Sequence, residues 1–433
     1  MEAVALYVMV LFAFLPGISA VFCWPSFREY PVTIFGFVGL FSFNALGSFW
    51  TFREEKLYTL EFDATAVAGD VALGIIISAV AYYAVAFPWI VLRRPERSVF
   101  VAESGDAVVP AVTAALMLAG AALYYQQTGG FLAMFQLGGP MSAGEALALR
   151  MQYAYGLPEW PLYSLVFVFL PIVLSNFAVA GYIAGRLSLA TAAVYLLISV
   201  AASISLGSKA GVLNFVPTIG ICLAVTYQCL GKGMLAPLSN WRFLAFAVGA
   251  VLLAVAGYVW SSPERMQLAE IVVKILYRGF VAYTDTLAAA FSMHRETGDL
   301  GVSVLPTMRG MLQHEQIILS TVLHEYQAGA PGGVSVSFLG EAFLAAGWSG
   351  LLLAAILIPA ILLLLDELAR LLTSGLFRLM FVSVYGYLAL QLSMNGMFGS
   401  LFNFMYPSVM IGLWCVAVAT HALIGKSPRR SAP

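Results

Sequence analysis

The chain has 433 residues, of which 61% are hydrophobic and only 10% charged, with a formal net charge of -1. Apolar runs of about 20 residues recur from end to end, each long enough to cross a bilayer, so the composition is that of a polytopic helical membrane protein. A β-barrel is excluded because "LLLAAILIPAILLLL" is apolar on every face instead of alternating, and the near-zero net charge selects no partner.

In chain order, apolar windows predict an all-α fold of about eleven transmembrane helices. They lie near residues 3–23, 31–51, 68–92, 107–125, 160–184, 188–206, 211–229, 242–261, 346–365, 376–396 and 400–424, in one integral membrane domain over residues 1–433. The first window is expected as a span and not as a signal peptide. "GISA" has the form of a cleavage site, but the start carries Glu2 and no Lys or Arg. Cys23, Cys222, Cys229 and Cys415 fall in or beside spans without CxxC spacing and read as buried thiols.

Arg93, Arg94 and Arg97 fix the third loop as cytoplasmic by the positive-inside rule. Alternation then puts Arg28, Arg186, Lys232, Arg242, Arg370, Arg378 and the tail Lys426, Arg429 and Arg430 on the same side. The N-terminus and two large loops, 126–159 and 262–337, are left on the extracytoplasmic side, with the C-terminus cytoplasmic.

Both loops keep helical periodicity. In "ERMQLAEIVVKILYRGFVAY" Glu270, Lys274 and Arg278 recur every fourth residue beside Ile271 and Ile275, the pattern of an amphipathic helix at the interface or on the bundle. Glu270 and Lys274 form an i,i+4 pair, whereas Arg278 has no such local partner. "PTMRGMLQHEQIILSTVLHEYQ" aligns Arg309, Gln313, Gln316, Ser320 and His324 on one helical stripe. An arginine and a histidine on one face suit an anion clamp and a proton acceptor; a water-facing stripe is the alternative. His294, His314 and His324 share this loop, but "HEQII" and "HEYQA" lack the second histidine of HExxH, so no metal site is expected.

In the smaller loop, "MSAGEALALRMQYAYGLPEWP" sets Arg150 beside aromatics, which suits a phosphate and a sugar ring or, equally, snorkelling to headgroups. "SLGSKAG" puts Lys209 on a tight outer turn at a helix start. The outer face thus gathers the cations Arg150, Lys209, Arg278 and Arg309 with Glu341 and His324 as possible bases. Such a face calls for an anionic ligand. There is no GxxxxGK[ST] loop for a nucleotide, and a lipid pyrophosphate, its tail in the bilayer, fits best.

"SVSFLGEAFLAAGWSGLLLAAILIP" resembles the Ser-x-x-Gly-Glu-x-(aromatic)-x-x-x-Gly-x-x-Gly signature of Wzy-type O-antigen and oligosaccharide repeat-unit polymerases. "SLGSKAGVLNF" is similar to that family's mid-chain Gly-Ser-(Arg/Lys)-Gly-rich turn, with lysine at 209 where arginine is common, and Arg150 with its tyrosines is similar to the arginine opening an earlier span. The resemblance implies a GT-C-like membrane glycosyltransferase of a bacterial inner membrane, polymerising undecaprenyl-pyrophosphate-linked repeat units for O-antigen, capsule or exopolysaccharide. Arg150, Lys209, Arg278 and Arg309 would stabilise the leaving pyrophosphate, and Glu341 or His324 would take the acceptor proton. Donor and acceptor are both lipid-linked glycans in membrane lipid, a chain-length regulator is a possible partner, and nucleic acid is not. The activated donor makes ATP, nucleotide sugar and other cofactors unnecessary, and metal is dispensable if the arginines do its work.

Three rivals stand beside this reading. An O-antigen ligase would use the same donor. A polyprenyl-phosphate-sugar glycosyltransferase would use Glu61 and Asp63 as an acidic pair on a metal. A transporter or flippase would want repeated halves and broken spans around a midplane site, and the sequence shows no internal repeat. Around Glu341, the spacing predicts that Gly340 and Gly347 share one helix face, extended by Gly350, with Glu341 near the water boundary.

Overall fold

The computed structural model describes residues 2–53, 62–93, 108–128, 165–204, 209–230, 273, 277–301, 319–329, 335–372, 375–399 and 405–424. Among them there is no strand, and the protein is an all-α polytopic membrane protein. Its helices are α1 (Glu2–Cys23), α2 (Pro31–Leu40), α3 (Ser48–Thr51), α4 (Ala68–Leu92), α5 (Val108–Thr128), α6 (Leu170–Ile183) and α7 (Leu189–Ile204). There follow α8 (Lys209–Cys229), α9 (Ala282–Thr297), α10 (Leu319–Ala328), α11 (Phe338–Leu371), α12 (Gly375–Gly399) and α13 (Met405–Ile424). Seven helical stretches among the described residues are long and apolar enough to span a membrane, and three shorter apolar ones fall at 189–203, 217–229 and 406–420. Each lies on one of the predicted windows; the window at 242–261 lies outside the described residues.

The chain forms two compact units, one of residues 1–97, 272–368 and 385–403, the other of 98–271, 369–384 and 404–433. In the second unit α6 packs on α5, α7 and α8 around Met117, Tyr124, Phe167 and Leu174, and the Phe169 and Tyr406 rings stack at 4.2 Å.

In the first unit α1 and α2 pack on α4. Pro16 inside α1 disturbs its backbone ladder. The Tyr83 hydroxyl of α4 steps in there, accepting from the Gly17 N–H at 3.3 Å and donating to the Ala13 carbonyl. A neighbouring helix thus satisfies backbone groups that hydrocarbon would leave bare.

The large loop 262–337 does more than cover the bundle. Its helix α9 is part of the core: Leu287, Ala288, Ala289 and Ala290 are fully buried, and α9 packs on α4 and on the turn Ala64–Val67. Asp285 and the run His294, Arg295 and Glu296 interrupt the apolar window, which is why hydropathy alone hides this helix. α10 covers the other side of α9 with Leu319 and Leu323.

α11 joins the two ends of this unit. At its far end Asp366, 2% exposed, accepts the N–H groups of Val32 (3.0 Å) and Thr33 (2.9 Å) and the Thr33 hydroxyl (2.8 Å). A carboxylate from α11 thereby caps the start of α2, where Pro31 occupies the first turn and the remaining donors have no intrahelical acceptor. Beside it Glu367 accepts from Tyr30 Oη (2.9 Å) and Trp89 Nε1 (3.0 Å) and pairs with Arg93 at 2.9 Å. Tyr, Trp and Arg gathered at a helix end mark a membrane interface.

One expectation needs correction here. All four cysteines are free thiols, but Cys23 and Cys415 are exposed rather than buried, and Cys229 is half-buried. Cys23 and Cys415 lie on outward helix faces, which in a membrane protein meet lipid instead of side chains.

Candidate functional site

The Glu341 segment explains itself position by position. Ser337, fully buried, is the cap of α11: its Oγ accepts the Gly340 N–H at 3.3 Å. Gly340 leaves room for α9, since a methyl there would touch Ala290 at 3.4 Å and Leu287 at 3.6 Å. Phe343 stacks on Phe291 of α9 at 3.7 Å and 12°, and the edge of Trp348 closes the group at 5.4 Å. Ser337 thus starts the helix, and Gly340 and Phe343 hold the segment on α9. Glu341 stands in the first turn of the helix, where the N-terminal dipole favours negative charge.

Gly347 plays a different part from the one its spacing suggests. α11 is not continuous: Ala346 (φ -155°, ψ 33°) and Gly347 (φ 55°, ψ -140°) break it, so Gly340 and Gly347 do not share a helix face. Gly347 takes the left-handed conformation that glycine adopts without cost, and it lies under the His294–Asp299 pair, whose Nε2 and Oδ1 are 2.8 Å apart. The Leu300 N–H accounts for the Leu344 carbonyl at the break, donating to it at 2.9 Å. Gly350 meets the Ala342 carbonyl of its own chain. The glycine pattern is thus one packing position, one hinge and one carbonyl seat, not a stripe for a neighbouring helix.

Glu341 is buried by protein, at 5% exposed. Its carboxyl group lies against Gly396, where α12 is broken in turn (φ 73°, ψ 179°); a methyl on Gly396 would overlap both carboxyl oxygens. One helical turn earlier the fully buried Ser393 hydroxyl has no hydrogen-bond partner among the described residues. An unmet buried hydroxyl costs about 1–3 kcal/mol unless water or a ligand meets it. From Gly347 to Glu367 the helix rises about 30 Å, the thickness of the hydrocarbon layer. Glu341 lies beyond the Gly347 break, at the end of α11 opposite the Arg93–Glu367 cluster.

The rim on this side is polar. Arg295 binds Asp70 at 2.5 Å and the Ala66 carbonyl at 3.0 Å. The Tyr326 hydroxyl donates to Glu296 at 2.5 Å and lies 2.9 Å from Ser292 Oγ, with Phe62 stacked on its ring at 5.7 Å. Burial, with Glu296 beside it, raises the Tyr326 pKa above 10.0. Deeper in the unit, Asp285 (4% exposed) accepts from Thr51 Oγ1 at 2.6 Å and Tyr277 Oη at 2.8 Å.

Of the residues singled out by sequence, Glu341 has the described geometry. His324 is half-buried on α10, next to Leu323. Arg150, Arg309 and the stripe residues Glu270 and Lys274 lie outside the described residues. Lys209 opens α8 and Arg278 lies in the π-helical turn Tyr277–Val281; the side chains of both also lie outside them. Asp63 caps the turn Ala64–Val67 through the Thr65 N–H (2.9 Å) and hydroxyl (2.6 Å), while Glu61 lies outside the described residues.

Sequence reading missed Gly396, Ser393, Asp285 and Asp366. The Asn395–Gly396 dipeptide inside an apolar run was the available signal for the first, since such pairs mark turns. No protein-family model matches the chain, and no curated protein or solved structure matches it either.

Proposed function

We propose that this protein polymerises oligosaccharide repeat units carried on undecaprenyl pyrophosphate, at the extracytoplasmic face of a bacterial inner membrane. The observation that carries the reading is Glu341: a buried carboxyl group, one hydrocarbon thickness from the Arg93 end, held between two broken helices by a segment with the polymerase-like pattern. In this reaction Glu341 takes the proton from the acceptor sugar hydroxyl. The hydroxyl oxygen bonds to the anomeric carbon of the donor, and the bond from that carbon to the pyrophosphate breaks. The pyrophosphate leaves with the electron pair, its charge met by Arg150, Lys209, Arg278 and Arg309. His324 is the alternative base. Positive-inside orientation, with Arg93 cytoplasmic, supports an extracytoplasmic Glu341, on the side where lipid-linked units are displayed.

A transporter reading has one observation in its favour, because broken helices around a buried acidic residue are how secondary transporters build ion and substrate sites. Those sites lie near the bilayer midplane, whereas Gly347 lies about 30 Å along α11 from Glu367. The depth favours a reaction at the interface.

The test uses purified protein in liposomes supplied with lipid-linked repeat units and, in a second arm, a lipid A core acceptor. A ladder of lipid-linked polymer supports the proposal. Movement of units across the bilayer without new glycosidic bonds, or transfer only to lipid A core, overturns it.

A further inference from the structure

We infer that Gly396 is a positioning residue for Glu341, a role that rests on the proposed function for its consequence but not for its geometry. α12 breaks at Gly396 in a conformation (φ 73°, ψ 179°) that is essentially restricted to glycine. The space where any other residue would carry its Cβ is occupied by Glu341: both carboxyl oxygens and the carboxyl carbon lie within overlap distance of that point. The two features have separate causes, since φ belongs to the α12 backbone and the overlap to a side chain of α11. Together they make a niche whose wall is bare backbone, and the Glu341 carboxyl group fills it. The backbone that carries Glu341 is fixed as well, because Ser337 caps its helix and Gly340 seats that helix on Ala290 and Leu287 of α9. A carboxyl group on an anchored helix turn and against a fixed backbone wall has few orientations open to it, which is what a proton acceptor in a narrow site needs, and the missing side chain at 396 makes room for it.

The consequence is a coupling between positions 341 and 396 that can be read without any activity. Gly396→Ala lowers the melting temperature through two effects, backbone strain and overlap with Glu341. Glu341→Ala removes the overlap and leaves the strain. Glu341→Asp draws the carboxyl group back by about one C–C bond, ~1.5 Å. The experiment is thermal unfolding of the detergent-solubilised full chain for wild type, Gly396→Ala, Glu341→Ala, Glu341→Asp and the two double variants. We expect the loss of melting temperature caused by Gly396→Ala to shrink by half or more in both Glu341 backgrounds. Equal loss in all three backgrounds overturns the niche.

Polymer synthesis then reads the functional half on whatever Gly396→Ala protein remains folded. We expect kcat to fall at least tenfold with KM within about twofold, because the base is displaced while the lipid-pyrophosphate contacts remain. An unchanged kcat overturns the positioning role even if the thermal coupling is present. Coupling in a protein that makes no polymer even as wild type would leave the niche standing and would count against the polymerase reading alone. If Gly396→Ala does not fold, Gly396→Ala with Glu341→Ala must fold where Gly396→Ala does not; failure of both contradicts the niche.

Discussion

The two ends of α11 each bury a carboxyl group, and they differ in what surrounds it. Asp366 has three donors from one turn of α2, two of them backbone N–H groups, so its charge is answered by the end of another helix. Glu341 is nearly as buried, but its carboxyl group lies against Gly396, where a second helix is broken, and one turn away the Ser393 hydroxyl has no hydrogen-bond partner among the described residues. Burial alone does not mark function. A buried acid whose oxygens complete a helix end is architecture, whereas the proposed role needs one set against the break of a second helix, as Glu341 is at Gly396.

The largest expected effect lies at Glu341. In cells whose own copy is deleted, Glu341→Gln supplied in its place abolishes long-chain polysaccharide, a loss of about 100- to 10,000-fold in rate for a missing base. Asp366→Ala does the reverse. It leaves two N–H groups and one hydroxyl unanswered and lowers stability by about 2–4 kcal/mol in denaturant unfolding, with turnover per folded molecule kept. If Asp366→Ala instead silenced turnover without loss of stability, the contrast between the two ends would collapse.

A smaller effect belongs to the hinge. Gly347→Ala forces a side chain into a left-handed conformation and presses a methyl to 3.2 Å from His294 Nε2. It should cost about 1–3 kcal/mol. Asp299→Ala, which removes one wall of that contact, should recover only part, since the backbone strain remains. Thermal melts of the two single variants and their double separate these contributions.

The smallest effect is at the rim. The pKa of Tyr326 is higher in the folded state than its ordinary value, through burial first and Glu296 second. The folded protein therefore holds the phenolic proton more tightly than the unfolded chain. The stability this adds is complete below about pH 10 and is lost as pH rises through the folded pKa. Tyr326→Phe should flatten the alkaline limb of a stability profile and leave the neutral region little changed.

How much of this was legible follows the physics of each signal. Spans are long apolar runs, so α1, α4, α5, α6 and α12 fall where hydropathy puts them. α9 escapes that signal because it is buried by protein and carries Asp285 and His294 to Glu296 among its alanines. Glu341 was legible as an isolated charge in apolar surroundings, and Ser337, Gly340 and Phe343 as its pattern. Spacing could not tell that Gly347 bends the chain instead of packing on it, since a glycine at i+7 serves either purpose. The niche at Gly396 was invisible for a deeper reason: it joins residues 55 positions apart, and only tertiary packing of α11 on α12 decides that a glycine there faces an acid.

The most direct measurement is the rate of lipid-linked polymer formation per folded molecule by purified wild-type and Glu341→Gln protein, with melting temperatures taken on the same samples. The account predicts polymer from the wild type, none from Glu341→Gln, and melting temperatures that stay close. Polymer from Glu341→Gln at the wild-type rate would contradict it.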